Sequence, residues 1–341
     1  MVLDFSKNIA DIEFTSYHNT WEKEIILFVK EYLQNSEIKA TTSGSTGKPK
    51  TICIPKEFMK NSALMTGHYF DLKPGQTALL CLPIHYIAGK MMLVRAIELK
   101  LKLICISPSG SPLTHINTPI DFCSMIPLQV EQSLSKLTLI KQLIIGGAPI
   151  SNQLKKQLQN ITTSCFATYG MTETVTHIAI KPLNHKLKSN YYTTLEGISV
   201  EKDSRGCLII NCPHLNFNKV ITNDMIKLIN EKQFQFLGRY DHVINSGGIK
   251  IHPEIIEEKL STLFSERFFI TSIPDKKLGE KVVLIIERKN PNPTLDLTLY
   301  LEKFEVPKHI FYTKHFIETL TGKIRRKETL NHIMTSHHSL S

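Results

Sequence analysis

Residues 41–50 bring together the side chains that bind phosphate groups. The run contains five hydroxyl residues, two glycines and two lysines. Glycines let the backbone approach a ligand, and exposed N–H groups can then form a concave anion site to which hydroxyls and lysines add donors and charge. The run is not a Walker A loop, because Thr42 stands five residues before Gly47 and Pro49 follows Lys48. It predicts a polyphosphate loop of another kind; the alternative is a flexible serine and glycine linker.

Strands and helices alternate along the first half of the chain. In such a fold the strands form a parallel sheet with helices on its faces, and ligands bind beyond the carboxyl ends of the strands. Gly146 and Tyr169 each open a motif just past a predicted strand, which is where a nucleotide site belongs. Apolar runs and helical periodicity predict strands at 77–82, 101–106, 142–145 and 165–168, between helices at 20–34, 55–70, 87–99, 128–137 and 151–159.

The pattern changes near residue 195. Short β-type runs with turn residues predict a small barrel or antiparallel sheet as far as residue 240. A helix at 253–263, a strand at 282–287 and a helix at 295–303 then predict a small α+β domain. We therefore expect an α/β fold. Residues 1–240 would form a large N-terminal domain with a mostly parallel sheet flanked by helices plus a small β region, and residues 241–341 a small mobile α+β domain.

A series of motifs resembles those of the adenylate-forming superfamily, which includes acyl-CoA synthetases, luciferases and nonribosomal-peptide adenylation domains. They occur in the order that the family shows, from residue 41 to residue 326, which makes chance an inadequate explanation. They are the phosphate-binding signature at 41–50, the adenine-side loop at 146–149, the nucleotide and magnesium motif at 169–174, the ribose motif Thr222-Asn223-Asp224 with Asn in place of the family's Gly, the segment Gly238-Arg239-Tyr240-Asp241 before the hinge, the mobile loop at 246–251 and the C-terminal lysine motif at 321–326.

The resemblance implies that a carboxylic acid reacts with ATP to form an acyl-adenylate, and that coenzyme A then takes the acyl group. A carboxylate is a poor electrophile, whereas an adenylate carries AMP as a good leaving group. The implied roles are these: Thr42, Ser43, Gly44, Ser45, Thr46, Gly47 and Lys48 hold the β- and γ-phosphates; Gly146, Gly147, Ala148, Pro149, Tyr169 and Gly170 bind adenine; Thr172 bonds the α-phosphate; Glu173 binds Mg²⁺; Asp224 accepts from the ribose hydroxyls; and Arg239 contacts ribose or phosphate. Without the resemblance, Glu173 would be a solvated acid, Asp224 a turn residue and Tyr169 a core aromatic.

The same resemblance assigns roles to the last hundred residues. Lys323 would bridge the carboxylate and the α-phosphate in the transition state, and otherwise it would be a solvated lysine in a basic run. Asp241 would be the hinge about which the C-terminal domain rotates between the two half-reactions. Gly247 and Gly248 would then line a tunnel for the pantetheine arm of coenzyme A, since glycines admit a ligand close to the backbone.

Within the superfamily the chain looks most like the o-succinylbenzoate–CoA ligases of menaquinone biosynthesis. Residues 82–89 resemble the L-P-x-x-H-x-x-G segment of that branch, and His85 is the candidate substrate-pocket residue, with a buried structural histidine as the alternative. Forty residues precede the phosphate loop, so we expect an N-terminal subdomain to be reduced or missing, and part of the acyl-pocket wall to be absent or supplied by a second chain. The other readings are an aryl- or fatty-acid–CoA ligase, an adenylation enzyme that loads a carrier protein, and a non-catalytic nucleotide-binding relic.

Composition sets limits on partners and location. Lys and Arg number 41 against 31 Asp and Glu, for a net charge of +10, which suits polyanionic small ligands. The basic residues are scattered, which disfavours nucleic acid. The seven cysteines lie mostly in apolar runs, as reduced buried thiols do. With no signal sequence and no run long enough to cross a bilayer, we expect a cytoplasmic protein without nucleic-acid or membrane partners; a homo-oligomer stays open.

Overall fold

The computed structural model describes residues 1–7, 17–41, 51–213, 217–264, 266–288, 296–318 and 324–338. Within these ranges the α-helices are α1 (Thr20–Gln34), α2 (Lys56–Phe70), α3 (Ile87–Glu98), α4 (Pro127–Gln132), α5 (Asn152–Gln157), α6 (Pro253–Leu260) and α7 (Arg326–His338). The strands are β1 (Val2–Asp4), β2 (Glu37–Thr41), β3 (Thr51–Pro55), β4 (Thr77–Leu80), β5 (Lys102–Cys105), β6 (Ile120–Met125), β7 (Ile140–Ile145), β8 (Ser164–Gly170), β9 (His177–Pro182), β10 (Tyr192–Thr194), β11 (Ser199–Lys202), β12 (Cys207–Cys212), β13 (Phe217–Asn230), β14 (Gln233–Arg239), β15 (Ile244–Ser246), β16 (Ile249–Ile251), β17 (Phe268–Asp275), β18 (Gly279–Glu287) and β19 (His309–Thr313).

A twelve-stranded sheet contains the strands from β1 to β14, apart from β2 and β3. Its order is β1-β5-β4-β6-β7-β8-β9-β10-β14-β13-β12-β11. The strands from β5 to β8 in this order are parallel neighbours, and the other pairs are antiparallel. The predicted α/β fold with a large sheet flanked by helices is confirmed, but the sheet is mixed rather than mostly parallel, because its strands from β9 to β11 in this order pair antiparallel. The strands between residues 195 and 240 continue this sheet as its antiparallel half.

Helices cover both faces of the parallel half. Side chains of β6 to β8 alternate between two apolar clusters, as the two-residue period of a strand requires. Phe122 and Phe166 belong to the cluster that contains buried residues of α1, α2 and α3. Cys123 and Cys165 belong to the cluster that contains buried residues of α4 and α5. Apolar side chains therefore cover both faces of these strands, as is usual for parallel strands between two layers of helices.

A second, five-stranded sheet lies in the C-terminal part of the chain. Its order is β16-β15-β18-β17, and β19 pairs parallel to β18. It has an apolar cluster of its own, in which residues of α6 such as Ile256 and Leu260 pack against Ile270 and Leu284. The predicted division between residues 240 and 241 falls between β14 and β15 and stays a prediction.

Two C-terminal elements differ from those expected. The helix predicted over 295–303 is wrong, because its described part is a short 3-10 turn, Leu297–Leu299, followed by an irregular segment. Helix α7 was not predicted. Among the described residues, no helix has both the length and the apolar character needed to cross a bilayer.

Candidate active site

The adenine-side loop follows β7 directly. β7 and β8 run parallel with Ile145 opposite Ala167, so Gly146 lies beside Thr168. A Cβ at Gly146 would stand 2.5 Å from Thr168 Oγ1, and Gly147 has a φ of +85° that other residues rarely adopt. Both glycines are therefore required by the backbone path. Gly147 and the two residues after it, Ala148 and Pro149, are exposed at the carboxyl edge of the sheet.

Tyr169 lies at the end of β8 and contacts the ribose motif. Its Oη donates a hydrogen bond to Asp224 Oδ2 at 2.5 Å. Its ring packs edge-on against Phe234, with centroids 5.2 Å apart, and lies 5.9 Å from the ring of Tyr192. Burial, together with the Asp224 charge, raises the pKa of Tyr169 well above its usual range, so the phenol remains a neutral donor. The tyrosine therefore has a core-packing role in addition to its predicted contact with adenine.

Asp224 lies inside the long strand β13. The reading of Asp224 as a turn residue is wrong, because it pairs with Arg239 of β14 in the sheet register. Asp224 is 8 % exposed, and Oδ1 accepts a bond from Arg239 Nη1 at 3.1 Å. Arg239 Nη2 also donates to Asp241 Oδ2 at 3.0 Å. Burial opposes the charge on Arg239, but the two carboxylates outweigh it and raise the pKa of Arg239. Asp224, Arg239 and Asp241 thus form one charged chain next to Tyr169.

The predicted phosphate and magnesium residues form a tight turn after β8. Thr172 is the first residue of a 3-10 turn, Thr172–Thr174, and Glu173 at its centre is exposed. Thr174 is buried and donates to the Met171 carbonyl oxygen at 3.0 Å, which fixes the turn. Within the described part of the chain, no three His, Cys, Asp or Glu side chains cluster into a metal site. A single exposed carboxylate still fits Mg²⁺, which takes one or two carboxylates together with substrate phosphates and water.

His85 lies beyond the end of β4, and its side chain is 66 % exposed. The alternative of a buried structural histidine is therefore wrong. Its Nε2 stands 3.4 Å from Glu24 Oε2, and the pair lies between two cavities. One cavity, of about 350 Å³, is lined by polar residues such as Lys39 and Lys90, and the other, of about 320 Å³, is mostly apolar.

The other predicted residues fall in two groups. Gly247 and Gly248 form the turn between β15 and β16 with φ of +60° and +82°, and both are exposed. The hairpin of β2 and β3 pairs Thr41 with Thr51 and so holds together the two ends of the predicted phosphate loop. The residues of that loop, Thr42, Ser43, Gly44, Ser45, Thr46, Gly47 and Lys48, lie outside the described residues, and so does Lys323.

A buried cation next to β9 was not found from the sequence. Arg95 of α3 is 1 % exposed. Its guanidinium donates to Thr66 Oγ1 at 3.3 Å and to Thr176 Oγ1 at 3.2 Å, and lies 3.4 Å from His177 Nδ1. Burial lowers the pKa of Arg95 to about 9, and burial with the Arg95 charge lowers the pKa of His177 well below its usual range. Among the described residues no carboxylate forms an ion pair with Arg95.

Comparisons with known proteins agree with these motifs. Residues 40–200 match the model of the AMP-binding enzyme family. A solved structure from Dyadobacter fermentans, named as an acyl-CoA synthetase (AMP-forming)/AMP-acid ligase II-like protein, is 36 % identical, with 93 % of this chain and 95 % of that chain covered and a TM-score of 0.63. The chain belongs to the adenylate-forming acyl-CoA synthetase superfamily.

The chain is also similar to 2-succinylbenzoate–CoA ligases. The curated ligase of Bacillus cereus strain ZK / E33L is 21 % identical over 363 residues, which are 95 % of this chain and 75 % of that protein. The solved o-succinylbenzoate coenzyme A synthetase of Bacillus subtilis, in complex with ATP and magnesium ion, is 20 % identical with a TM-score of 0.75. The match covers 86 % of this chain and 69 % of that chain. At this identity the structural likeness establishes the fold alone.

Proposed function

We propose that this member of the superfamily activates a carboxylic acid with ATP and Mg²⁺ and transfers the acyl group to coenzyme A. The observation that carries the proposal is the contact network of Tyr169, Asp224, Arg239 and Asp241. Tyr169 and three residues that follow it by 55 to 72 positions in the sequence come together beside the carboxyl end of β8, where the family motifs require a nucleotide site. The membership of the chain in an AMP-forming family supports the same chemistry.

In the first half-reaction, a carboxylate oxygen of the acid attacks the α-phosphorus of ATP. The bond from that phosphorus to the bridging oxygen breaks, and pyrophosphate leaves. Asp224 would hold the ribose through its hydroxyls, with the bond from Arg239 orienting the carboxylate. Thr172 would donate to the α-phosphate, and Lys323 would stabilise the charge that develops there. Mg²⁺ held by Glu173, the phosphates and water would neutralise phosphate charge.

In the second half-reaction, the sulfur of coenzyme A attacks the carbonyl carbon of the adenylate. The thiol loses its proton, a thioester forms, and AMP leaves with the bonding electrons. The turn at Gly247 and Gly248 would lie along the path of the pantetheine arm. Rotation at Asp241 would bring this turn to the site in place of Lys323. These assignments follow the family resemblance and are part of the proposal.

We propose o-succinylbenzoate as the acid, and hence a role in menaquinone biosynthesis. This acid carries a second carboxylate, which needs a cation to bind it. Arg95 supports this choice, because it is a buried guanidinium that faces hydroxyl and imidazole groups but no carboxylate within the described residues. Thr66 and His177 are buried, whereas Thr176 is half-buried, so a ligand would approach Arg95 from the side on which Thr176 lies. A buried charge gains most from an ion-pair partner.

A second candidate acid is an aryl or fatty acid without a second charge. The cavity of about 320 Å³ beside His85 favours it, since its lining is mostly apolar and includes Trp21, Ile25 and Ile106. The two candidates differ in the residue on which selectivity depends. Replacing Arg95 would weaken the use of o-succinylbenzoate, whereas replacing Trp21 would weaken the use of an uncharged acyl chain.

The test is pyrophosphate release with ATP and Mg²⁺ against o-succinylbenzoate, benzoates and fatty acids, with and without coenzyme A. Selective turnover of o-succinylbenzoate with a thioester product would establish the proposal. Turnover of another acid would keep the mechanism and change the substrate. A carrier-protein thiol that replaced coenzyme A would indicate a loading enzyme. Binding of ATP without pyrophosphate release from any acid would refute the ligase and favour the non-catalytic relic.

A further inference from the structure

A second arginine, outside the family motifs, holds the strand that carries Asp224. Arg205 lies in the turn between β11 and β12. Its Nη1 donates to Asn223 Oδ1 at 2.9 Å, and its Nη2 donates to the Thr222 carbonyl oxygen at 3.0 Å. These are the two residues that precede Asp224. Asn223 is also the residue that stands in place of the family's Gly in the ribose motif. Arg205 therefore binds a side chain that a Gly at this position would lack.

Contacts with Asp203 and Tyr240 fix the position of Arg205 itself. Asp203 Oδ2 accepts from Arg205 Nε at 2.9 Å, and Asp203 Oδ1 accepts from the backbone N–H groups of Arg205 and Cys207 at 2.8 and 2.9 Å. The guanidinium carbon lies 5.2 Å from the ring centroid of Tyr240, the residue after Arg239. Since Nε, Nη1 and Nη2 all donate to protein groups, this guanidinium is suited to positioning its neighbours rather than to binding an anion.

We propose that Arg205 is a positioning residue for the nucleotide. It fixes Asp224 on one side through Thr222 and Asn223, and Arg239 on the other side through Tyr240. Arg205 would thereby fix the positions of both Asp224 and Arg239, the pair proposed to face the ribose. This inference rests on the proposed function, in which Asp224 accepts bonds from the ribose hydroxyls. It predicts that the discrimination between ATP and its deoxy analogues depends on Arg205.

The experiment compares Arg205→Ala, Arg205→Lys and Asn223→Gly with the unaltered enzyme. Pyrophosphate release is measured at saturating acid with ATP, 2′-deoxy-ATP and 3′-deoxy-ATP. The lost charge-assisted bonds should raise KM for ATP about tenfold in Arg205→Ala and lower the preference for ATP over at least one analogue about threefold. Asn223→Gly should show a smaller effect in the same direction. Arg205→Lys should be intermediate, because it keeps the charge but loses the planar fork.

Two matched variants separate positioning from general damage. Lys227→Ala removes one exposed positive charge from the same strand β13 and should match the unaltered enzyme. Tyr240→Phe keeps the ring under Arg205 and should also match it, whereas Tyr240→Ala should resemble Arg205→Ala. Thermal unfolding confirms that each variant folds. The KM for the acid should stay unchanged in Arg205→Ala, which a loss of fold would not predict.

Unchanged discrimination between ATP and the deoxy analogues in Arg205→Ala would overturn the inference, whatever happens to KM. Calorimetric binding of ATP and the analogues with Mg²⁺ provides a readout that needs no turnover. If the unaltered protein binds ATP selectively but releases no pyrophosphate, the proposed function fails and Arg205 is still tested by binding. If the unaltered protein binds no ATP, both are overturned.

Discussion

Replacing Arg95 with methionine should stabilise the fold and remove the use of a dicarboxylic acid. Burial lowers the pKa of Arg95 from its usual range to about 9, which corresponds to a cost of about 5 kcal/mol in burying the cation. Its bonds to Thr66, Thr176 and His177, at 3.2 to 3.4 Å, return about 1 kcal/mol each. Methionine is of similar length and carries no charge. The expected net gain is therefore about 2 kcal/mol in the free energy of unfolding, in line with apolar replacement of buried charges.

The measurement is urea unfolding at pH 7.5, paired with initial rates for o-succinylbenzoate and for a benzoate. Turnover of the dicarboxylic acid should fall about a hundredfold in Arg95→Met, because an ion pair with charge-assisted bonds is lost, while the benzoate rate should hold. Arg95→Lys is the control that keeps the charge. A loss of more than about 2 kcal/mol of stability in Arg95→Met would refute the reasoning that this charge is uncompensated. An unchanged rate with o-succinylbenzoate would refute its role in substrate binding.

The pH dependence gives a further check on the same residue. As the pH rises above about 9, the folded chain releases the proton of Arg95 while the unfolded chain still holds it. Because the unfolded state binds more protons there, the stability of the unaltered protein rises with pH in this window. The stability advantage of Arg95→Met should therefore be constant below pH 9 and shrink above it.

Three other predictions follow from the charged residues. Folded His177 resists protonation, so stability should fall below pH 6.5 by up to about 1.4 kcal/mol per pH unit, and His177→Gln should flatten this slope in urea unfolding. Asp224→Asn should raise KM for ATP about tenfold or more and leave KM for the acid unchanged in steady-state kinetics, because it removes a charged acceptor from the ribose side. Lys155 bonds Glu258 at 2.7 Å and so joins α5 to α6; charge reversal of either residue should lower stability by about 0.5 kcal/mol, and the double reversal should restore it in chemical unfolding.

Each of these predictions has a contradicting result. If the free energy of unfolding falls equally steeply below pH 6.5 in His177→Gln and in the unaltered protein, other groups cause the fall. The matched control is His68→Gln, because the His68 side chain is exposed. Equal rises in the KM of ATP and acid in Asp224→Asn would indicate general damage. A double reversal at Lys155 and Glu258 that is as unstable as the sum of the single variants would mean that the contact contributes nothing.

Much of the fold could be predicted because the buried parallel strands are short apolar runs between amphipathic helices. β4 and β7 were found in this way. β6 was missed because Asp121 and Ser124 interrupt its apolar pattern. The structure accounts for both residues: Asp121 accepts a bond from the Thr77 backbone at 2.8 Å, and Ser124 lies in the sheet at 9 % exposure. Such partners come from another strand and leave no trace in the local sequence.

The candidate site was predictable where the motifs are local and unpredictable where contacts join distant segments. The loop at Gly146 was expected past the end of a strand and lies just after β7, whereas Tyr169, expected just past a strand, is one of the last residues of β8. Asp224 was assigned to the ribose by resemblance, but its place inside a strand, paired with β14, could not be read from the local sequence. A charged residue within the apolar run of α3 was a signal for burial of Arg95. Its partners Thr66 and His177 could not be found, since no periodicity relates positions so far apart.

The order of the large sheet also bears on how the protein behaves at high concentration. A sheet with two free ends offers backbone groups to which a strand of another molecule could add. One end is β1, which has three residues and so presents little backbone. The other is β11, a strand of four residues on which the charged side chains of Glu201 and Lys202 are exposed, and charged side chains on an edge strand disfavour pairing with another chain. The sheet that supports the site is thereby protected at both edges against the growth of strand-paired aggregates.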